Sequence, residues 1–317
     1  MRAVFLDQAT FSSEIDITMI EQQVSKLTCY PLTNPEQIIE HSRDANIIIT
    51  NKVVLNRVLL TQLPELKLIC IAATGTNNVD LASATELGIC VTNITNYANQ
   101  SVSQYVFAQL LNHFSHISDH NQNVRNNLWQ QHHSFCLHGK GMEELAGKTI
   151  AIIGYGSLGQ AVAERAKAFD LNVMVSEHCG ASKIRNGRVS FEQALSQADI
   201  ISLHCPQTAD TTSLINEKSL ALVKPSAVIV NTARGGLINN DALLAALREK
   251  RIAAAILDVL DVEPPPADHP LIANKFDNLI ITAHIAWASK QAQQRLIDKI
   301  AENISAFAAK EPINVVN

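Results

Sequence analysis

The chain has 317 residues, of which 47% are hydrophobic and 17% are charged, and its formal net charge is −5. This length predicts two domains, and the negative charge argues against a nucleic-acid partner, which usually meets a basic face. No apolar run reaches the roughly 18 residues that cross a membrane, and residues 1–7 are typical of a strand and not of a signal peptide. We therefore expect a cytoplasmic protein with no membrane partner.

The first hundred residues alternate between strand-like and helix-like patterns. Apolar runs of strand length occupy residues 3–6, 46–50, 68–73 and 88–92. Segments with helical spacing of apolar residues lie between them, among them residues 15–27 and 56–63. This alternation predicts parallel strands joined by crossover helices.

A long helix and a polar arm are predicted next. Residues 99–117 have a helical and largely apolar pattern, long enough to link two domains. The segment 119–141 is rich in Asn, Gln and His and carries isolated large apolar residues such as Trp129. We predict a dimerisation arm near residues 112–141, with a second copy of the chain as partner. The histidines of this segment fit no strong ligand spacing, so we predict no metal site.

A glycine-rich turn joins an apolar run at residues 149–153 to an alanine-rich helical segment. The turn has the sequence Gly154-Tyr155-Gly156-Ser157-Leu158-Gly159. Its glycines permit a tight turn, close approach of a pyrophosphate and close packing of helix on strand, and the helix N-terminus offers N–H groups to the phosphates. Glu177 ends the next apolar run, eighteen residues after Gly159, near the roughly 20-residue spacing of the acid that binds the adenosine ribose. The stretch predicts a dinucleotide-binding site that includes all six turn residues and Glu177.

The remaining predicted strands end in polar residues. Apolar runs occupy residues 200–203, 227–230, 253–257 and 279–282. The residues that follow these runs include Cys205, Arg234, Asp258 and His284. Ligands of doubly wound sheets bind at the carboxyl ends of the strands, so these residues are candidates for a site.

The domain boundaries follow from the two halves of this pattern. The last helix, predicted at residues 290–309, is expected to pack back on the N-terminal part of the chain, which makes that domain discontinuous. We predict a substrate domain of residues 1–98 and 288–317 and a cofactor domain of residues 99–287.

The polar residues at the strand ends suggest a reaction. A dinucleotide cofactor implies hydride transfer, and hydride addition to a ketone leaves an alkoxide that needs a proton. His284 can supply that proton, and Glu263, before a rigid run of three prolines, can orient the ring and favour its charged form. The planar fork of Arg234 suits a substrate carboxylate. Singly, each has an ordinary alternative as a strand cap or core residue, but together they predict a catalytic set.

The chain resembles the D-isomer-specific 2-hydroxyacid dehydrogenase family over essentially its whole length. Besides the glycine turn, the matching motifs are His204-Cys205-Pro206-Gln207-Thr208, Asn231-Thr232-Ala233-Arg234-Gly235-Gly236, Asp258-Val259 with Glu263-Pro264, and Ala283-His284-Ile285-Ala286-Trp287. The resemblance implies an α/β protein of two doubly wound parallel-sheet domains, a Rossmann cofactor domain and a flavodoxin-like substrate domain. It also implies that Arg234, Glu263 and His284 are the catalytic residues.

The resemblance implies further contacts. The additional cofactor-binding residues are Val102, Cys205, Pro206, Thr232, Ala233, Arg234, Asp258 and His284, with Asp258 at the position that binds the carboxamide. The implied substrate-binding residues are Thr74, Gly75, Arg234, His284 and Trp287, with the loop at residues 73–78 placing backbone N–H groups on the substrate carboxylate. This chain has Ser103-Gln104 where many members have Ala-Glu.

The subgroup can be narrowed by residues 284–287, Trp129 and residues 135–137, which resemble those of glycerate dehydrogenases, also called hydroxypyruvate reductases. We therefore expect reduction of hydroxypyruvate or glyoxylate to D-glycerate or glycolate with NADH. Two alternatives stay open: another 2-oxo acid or a phosphonate as substrate, and a non-enzymatic NAD-sensing corepressor.

Glu177 favours NAD over NADP, because a 2′-phosphate would face a carboxylate. The basic residues nearby are expected to form a solvated loop, and they leave NADP as the less favoured cofactor. These residues are Lys183, Arg185 and Arg188.

Overall fold

Two parallel β-sheets with helices around them form the chain, which confirms the predicted α/β fold class. The computed structural model describes all residues from Met1 to Asn317. Contacts divide the chain into a first unit, Met1–Ala98 with Trp287–Asn317, and a second unit, Asn99–Ala286. Trp287 belongs to the first unit, one residue from the predicted boundary, and its ring contacts Phe11 and Tyr97 edge-on.

The strands are short and are numbered in chain order. They are β1 (Arg2–Phe5), β2 (Lys26–Cys29), β3 (Ile47–Thr50), β4 (Leu68–Ile71), β5 (Cys90–Thr92), β6 (Thr149–Ile153), β7 (Asn172–Val175), β8 (Ile200–Leu203), β9 (Val228–Asn231), β10 (Ala254–Leu257) and β11 (Leu279–Ile281).

The helices range from one turn to five turns in length. They are α1 (Thr18–Glu21), α2 (Ile38–Ser42), α3 (Arg57–Leu60), α4 (Leu81–Glu86), α5 (Asn99–Ser115), α6 (Ile117–Arg125), α7 (Ser157–Ala168), α8 (Phe191–Gln197), α9 (Glu217–Leu220), α10 (Asn240–Arg248), α11 (Pro270–Ala273) and α12 (Lys290–Ala308). No helix combines the length and the apolar character that are needed to cross a membrane.

The first unit is built on a five-stranded sheet with the order β2-β1-β3-β4-β5. This is the flavodoxin-like order of a doubly wound sheet. Every residue of β3 and β4 is buried, as expected for parallel strands covered on both faces. The C-terminal helix α12 begins at the N-cap Ser289 and packs on α1, with a buried stripe that includes Leu296, Ile300 and Ile304.

The second unit is built on a six-stranded sheet with the order β11-β10-β9-β8-β6-β7. The strands β8, β9 and β10 are buried throughout. The reversal of strand order lies at β6, since β7 is on one side of it and β8 on the other. Such a reversal marks the crevice where open α/β sheets bind ligands.

The predicted helix at residues 15–27 is wrong for most of its length. A single turn, α1, is followed by the edge strand β2, which pairs with β1 from Lys26 to Cys29. The pairing with β1 outweighs the helical spacing because β2 gains ladder hydrogen bonds along the side that faces β1.

The predicted arm near residues 112–141 is helical in its first half. α5 ends at Ser115, His116 adopts a left-handed conformation with φ of 48°, and α6 continues to Arg125. Irregular chain follows to Lys148.

Candidate active site

The second sheet brings several predicted site residues to one edge. Its strands are parallel, so their carboxyl ends share that edge. Arg234 follows β9, Asp258 follows β10 and His284 follows β11, and these three strands are neighbours. Residues that are far apart along the chain therefore lie at adjacent strand ends.

His284 and Glu263 contact each other directly. Nδ1 of His284 lies 2.6 Å from Oε2 of Glu263, and 26% and 31% of these side chains are exposed. The backbone N–H of Leu260 donates to Oε1 of Glu263 at 2.9 Å. Because an ionised carboxylate only accepts, Nδ1 carries a hydrogen, and Nε2 is the ring nitrogen that can exchange a proton with a ligand.

Arg234 is partly buried and is fixed through its backbone. The side chain of Asn231 donates to the carbonyl of Arg234 at 2.8 Å and accepts from the N–H of Ala233 at 3.0 Å. Nη1 of Arg234 donates to the carbonyl of Ala233 at 2.7 Å, one contact for a group with five N–H donors. A Cβ on Gly235 would lie 1.9 Å from the carbonyl carbon of Leu260. The residue after Arg234 therefore packs on the loop that carries Glu263.

Asp258 is 1% exposed and its carboxylate is already bonded within the protein. Oδ1 accepts from the Thr282 hydroxyl at 2.6 Å and from the N–H of Ile285 at 2.9 Å, and Oδ2 accepts from the N–H of Ala286 at 2.8 Å. Burial raises the pKa of Asp258, and these hydrogen bonds oppose that rise. Its predicted contact with a carboxamide stays a prediction.

The glycine turn has the geometry that a dinucleotide needs. Gly154 has φ of 96°, and a Cβ there would lie 2.5 Å from the backbone nitrogen of Cys205. A Cβ on Gly159 would lie 2.1 Å from the carbonyl oxygen of Gly154. Gly156, at the N-cap of α7, faces open space instead. The turn thus packs tightly on its protein side and leaves room beside the N-terminus of α7, and helix N-termini of this kind are suited to binding phosphate groups.

Two buried polar atoms at the neighbouring strand ends have no protein partner. They are Nδ1 of His204, after β8, and Oγ1 of Thr232, after β9. Nε2 of His204 is 2.8 Å from the hydroxyl of Ser202, and burial lowers the pKa of His204 to about 4, so the ring is neutral near pH 7. Buried polar atoms are nearly always paired, and a bound ligand with hydroxyl or amide groups can supply these partners. The residues present therefore fit the predicted dinucleotide.

Glu177 follows β7 and is 3% exposed. Its Oε2 accepts from Nε of Arg185 at 2.6 Å, and its Oε1 accepts from Nη2 of Arg185 and from the N–H of His178. Nη1 of Arg188 donates to the carbonyl of Ser176 at 3.3 Å. Arg185, whose side chain is 53% exposed, lies in the expected solvated loop and also provides the counter-charge that a buried carboxylate requires. The Arg188 side chain is only 20% exposed, so the expectation is wrong there. Lys183 is exposed, as expected.

The other predicted residues lie in both units. Val102 is buried on α5, and Cys205 with Pro206 directly follows His204. Thr74 and Gly75 lie in the first unit after β4, where the Thr74 hydroxyl donates to the carbonyl of Ile94 at 2.8 Å. Trp287 also belongs to the first unit. The roles of these residues toward cofactor and substrate stay predictions.

The sequence pattern did not predict two contacts between α5 and the loop that carries His284. Ser101 donates to the carbonyl of Ala286 at 2.7 Å, and the Tyr105 hydroxyl contacts that of Thr282. Ser101 and Tyr105 are four residues apart on α5, so they share a face of the helix. The four-residue spacing indicates a shared helix face, but the sequence does not show which loop that face contacts.

The comparisons with known proteins identify the family of the chain. Residues 107–286 match the family described as D-isomer specific 2-hydroxyacid dehydrogenase, NAD binding domain. The chain is 39% identical over 316 residues to a Methylorubrum extorquens protein named glycerate dehydrogenase, with 99% of this chain and 98% of that protein covered. It is 38% identical over 289 residues to a Blautia hydrogenotrophica protein named hydroxypyruvate reductase, with 90% and 89% covered. A solved structure of an acyclic imino acid reductase with NADPH and D-Arg has a TM-score of 0.85 and 28% identity, with 100% of both chains covered.

Proposed function

Because the chain belongs to the D-isomer-specific 2-hydroxyacid dehydrogenase family, we propose that it reduces hydroxypyruvate and glyoxylate to D-glycerate and glycolate with NADH. Family membership makes it an oxidoreductase of the CH–OH group of 2-hydroxy acids. The contact between His284 and Glu263, at the sheet edge that also holds Arg234, carries the proposal. The names of the two relatives support the choice of substrate.

The protein side chains divide the chemistry among them. When bound, the dinucleotide supplies the hydride that adds to the keto carbon. His284 donates a proton from Nε2 to the oxygen that develops negative charge. Glu263 holds Nδ1 of the same ring, which keeps Nε2 as the proton donor. Arg234 binds the substrate carboxylate with its planar fork and so orients the carbonyl.

NADH is the preferred cofactor in this proposal. The pyrophosphate binds at the turn Gly154–Gly159, and Glu177 accepts hydrogen bonds from the adenosine ribose. The open space at Gly156 and the unpartnered atom of Thr232 support cofactor binding at this edge. The ion pair of Glu177 with Arg185 weakens the repulsion of a 2′-phosphate, so we expect a preference for NADH and not an exclusion of NADPH.

We also propose a homodimer in the cytoplasm. The irregular segment 126–144 carries Phe135, Met142 and Trp129, which are 89%, 69% and 48% exposed. Exposed apolar side chains of this size in one segment are typical of an interface. All six cysteines are free thiols, the usual state in the reducing cytoplasm.

The test of the proposed function is NADH oxidation with a panel of 2-oxo acids. The panel contains hydroxypyruvate, glyoxylate, pyruvate and a branched 2-oxo acid, and we expect the first two to have the highest kcat/KM. His284→Ala should lower kcat at least about a hundredfold, since the proton donor is lost. Its Kd for NADH, read from nicotinamide fluorescence, should stay within about twofold of the wild-type value.

A matched histidine variant controls for general damage. His41 stacks on Tyr30 in the first unit, and His41→Ala should keep the wild-type kcat. A His284→Ala enzyme with near-normal kcat would show that His284 is not the proton donor. If pyruvate or the branched acid has the highest kcat/KM, the proposal that hydroxypyruvate and glyoxylate are the substrates is wrong.

A further inference from the structure

The turn that presents His284 has an unusual backbone. His284 has φ of 53°, in the left-handed region that few non-glycine residues occupy and that surrounding contacts must hold. The N–H of His284 donates to the carbonyl of Asp258 at 2.8 Å. The carboxylate of Asp258 accepts from the N–H groups of Ile285 and Ala286 and from the hydroxyl of Thr282. Asp258 therefore binds the turn on both sides of the histidine.

One face of α5 holds the same turn at both ends. Ser101, Tyr105 and Gln109 are spaced by four residues and so share a face of the helix. Ser101 donates to the carbonyl of Ala286, after the histidine, at 2.7 Å. The Tyr105 hydroxyl contacts that of Thr282, before the histidine. Two residues one helical turn apart on α5 thus contact the chain before and after His284.

The hydrogen bonds from α5 to Asp258 have a defined direction. The Asp258 carboxylate can only accept, so the Thr282 hydroxyl donates to it. The Thr282 oxygen then accepts from the Tyr105 hydroxyl, whose oxygen accepts from Nε2 of Gln109 at 3.0 Å. All donors therefore point toward the buried carboxylate, an arrangement that polarises each bond in the chain.

We propose that Tyr105 and Ser101 are positioning residues for the reaction, and that they hold the His284 turn through Thr282 and Ala286. The proposal rests on the proposed role of His284 as proton donor. Neither residue needs to touch substrate or cofactor. Their effect is on the direction of the imidazole, since a displacement of about an ångström at a catalytic group can lower the rate up to a hundredfold.

The experiment compares variants that remove single hydroxyl groups. Tyr105→Phe, Ser101→Ala and Thr282→Val should each lower kcat on the order of tenfold, while KM for hydroxypyruvate and Kd for NADH stay within about twofold. Thr282→Ser keeps the hydroxyl and should retain most of the activity. The double variant Tyr105→Phe/Thr282→Val should lose no more than Thr282→Val alone, because both changes interrupt one chain of hydrogen bonds.

A buried threonine elsewhere gives the matched control. Thr92 is fully buried on β5 in the first unit, and Thr92→Val should keep the wild-type kcat. If Tyr105→Phe and Thr282→Val both keep kcat within about twofold, or if Kd for NADH and KM weaken as much as kcat falls, the positioning role is wrong. The proposed function fails separately, when His284→Ala keeps its activity.

Discussion

Glu177 shows how one neighbour changes what a carboxylate can do. At the end of the strand after a glycine turn, an acid is expected to accept hydrogen bonds from ribose hydroxyls. Here the Arg185 guanidinium holds the pKa of Glu177 well below its usual range and occupies both carboxylate oxygens. If the proposed ribose contact forms, the ribose shares those oxygens with Arg185, and a 2′-phosphate there would meet a cation beside the anion.

Removal of the Arg185 charge should therefore increase the preference for NADH over NADPH. In Arg185→Gln, the carboxylate of Glu177 loses the two guanidinium hydrogen bonds, so it accepts more readily from ribose hydroxyls and repels a 2′-phosphate more strongly. We expect the ratio of NADPH Kd to NADH Kd to rise about tenfold, the size of one charged hydrogen bond. Glu177→Gln should lower the same ratio. Nicotinamide fluorescence titrations with both cofactors measure it.

Lys183 provides the control for this prediction, because it is an exposed cation of the same segment outside the Glu177 ion pair. Lys183→Gln should leave the ratio unchanged. Equal ratios in wild type, Arg185→Gln and Glu177→Gln would mean that the pair does not select the cofactor.

At the scale of residues, the sequence predicts chemical types better than contacts. Arg234, Asp258 and His284 could be placed at strand ends because buried parallel strands form apolar runs that stop at a polar residue. Glu263 could be paired with His284 only as a hypothesis, which the 2.6 Å distance supports. The bond from Arg185 to Glu177 could not be predicted, because it depends on how the intervening loop folds back.

Among the elements, the segment between β10 and α11 has the closest link to the site, since it carries Glu263. Asp261 holds the middle of this segment in place through two hydrogen bonds. Its Oδ1 accepts from Nε2 of His269 and from Nδ2 of Asn240, both at 2.8 Å. Its backbone lies directly on Gly235, where no Cβ fits. Glu263 is therefore positioned by a segment that is hydrogen-bonded through Asp261 and packed against Gly235.

Gly235→Ala tests this arrangement. A Cβ would lie 2.2 Å from the backbone nitrogen of Asp261, so the segment must move and take Glu263 with it. We expect kcat to fall about a hundredfold, with circular dichroism showing that the protein is still folded.

Gly236→Ala is the matched control for that change. The three atoms nearest to a Cβ on Gly236 belong to the amide end of the Gln207 side chain, the closest at 2.3 Å, and that amide can rotate away. Its kcat should stay near the wild-type value. Equal activities of the two folded variants would show that the packing on Gly235 does not position Glu263.

The sequence predicts the buried strands well, but it does not predict the edge strand β2. Residues 200–203 were predicted as a strand and form β8 with those bounds, because four consecutive buried positions allow only apolar or small residues. β2 was missed, because its burial is partial and it has the sequence Lys-Leu-Thr-Cys at a sheet edge. Edge strands are specified by their pairing partner, which the local sequence does not contain.

At the scale of the whole molecule, the segment 126–144 bears on assembly, because it exposes several large apolar side chains. It is attached to the helices at its base, where Lys140 pairs with Asp119 at 2.9 Å and the N–H of Glu143 donates to the carbonyl of Phe114 at 2.9 Å. At its tip, Nε1 of Trp129 donates to the carbonyl of Phe135 at 2.9 Å. The segment is thus ordered by its own bonds while its large apolar side chains face solvent.

The proposed dimer interface would account for the exposed apolar side chains of this segment, since burial of a large aromatic side chain stabilises an interface by about 2 kcal/mol or more. Phe135→Ser with Met142→Ser should therefore shift the protein from dimer to monomer at micromolar concentration in analytical ultracentrifugation. Val58→Ser, at a side chain 68% exposed on α3, should leave the dimer intact. A wild-type protein that sediments as a monomer would refute the homodimer, and a double variant that remains dimeric would place the interface on another surface.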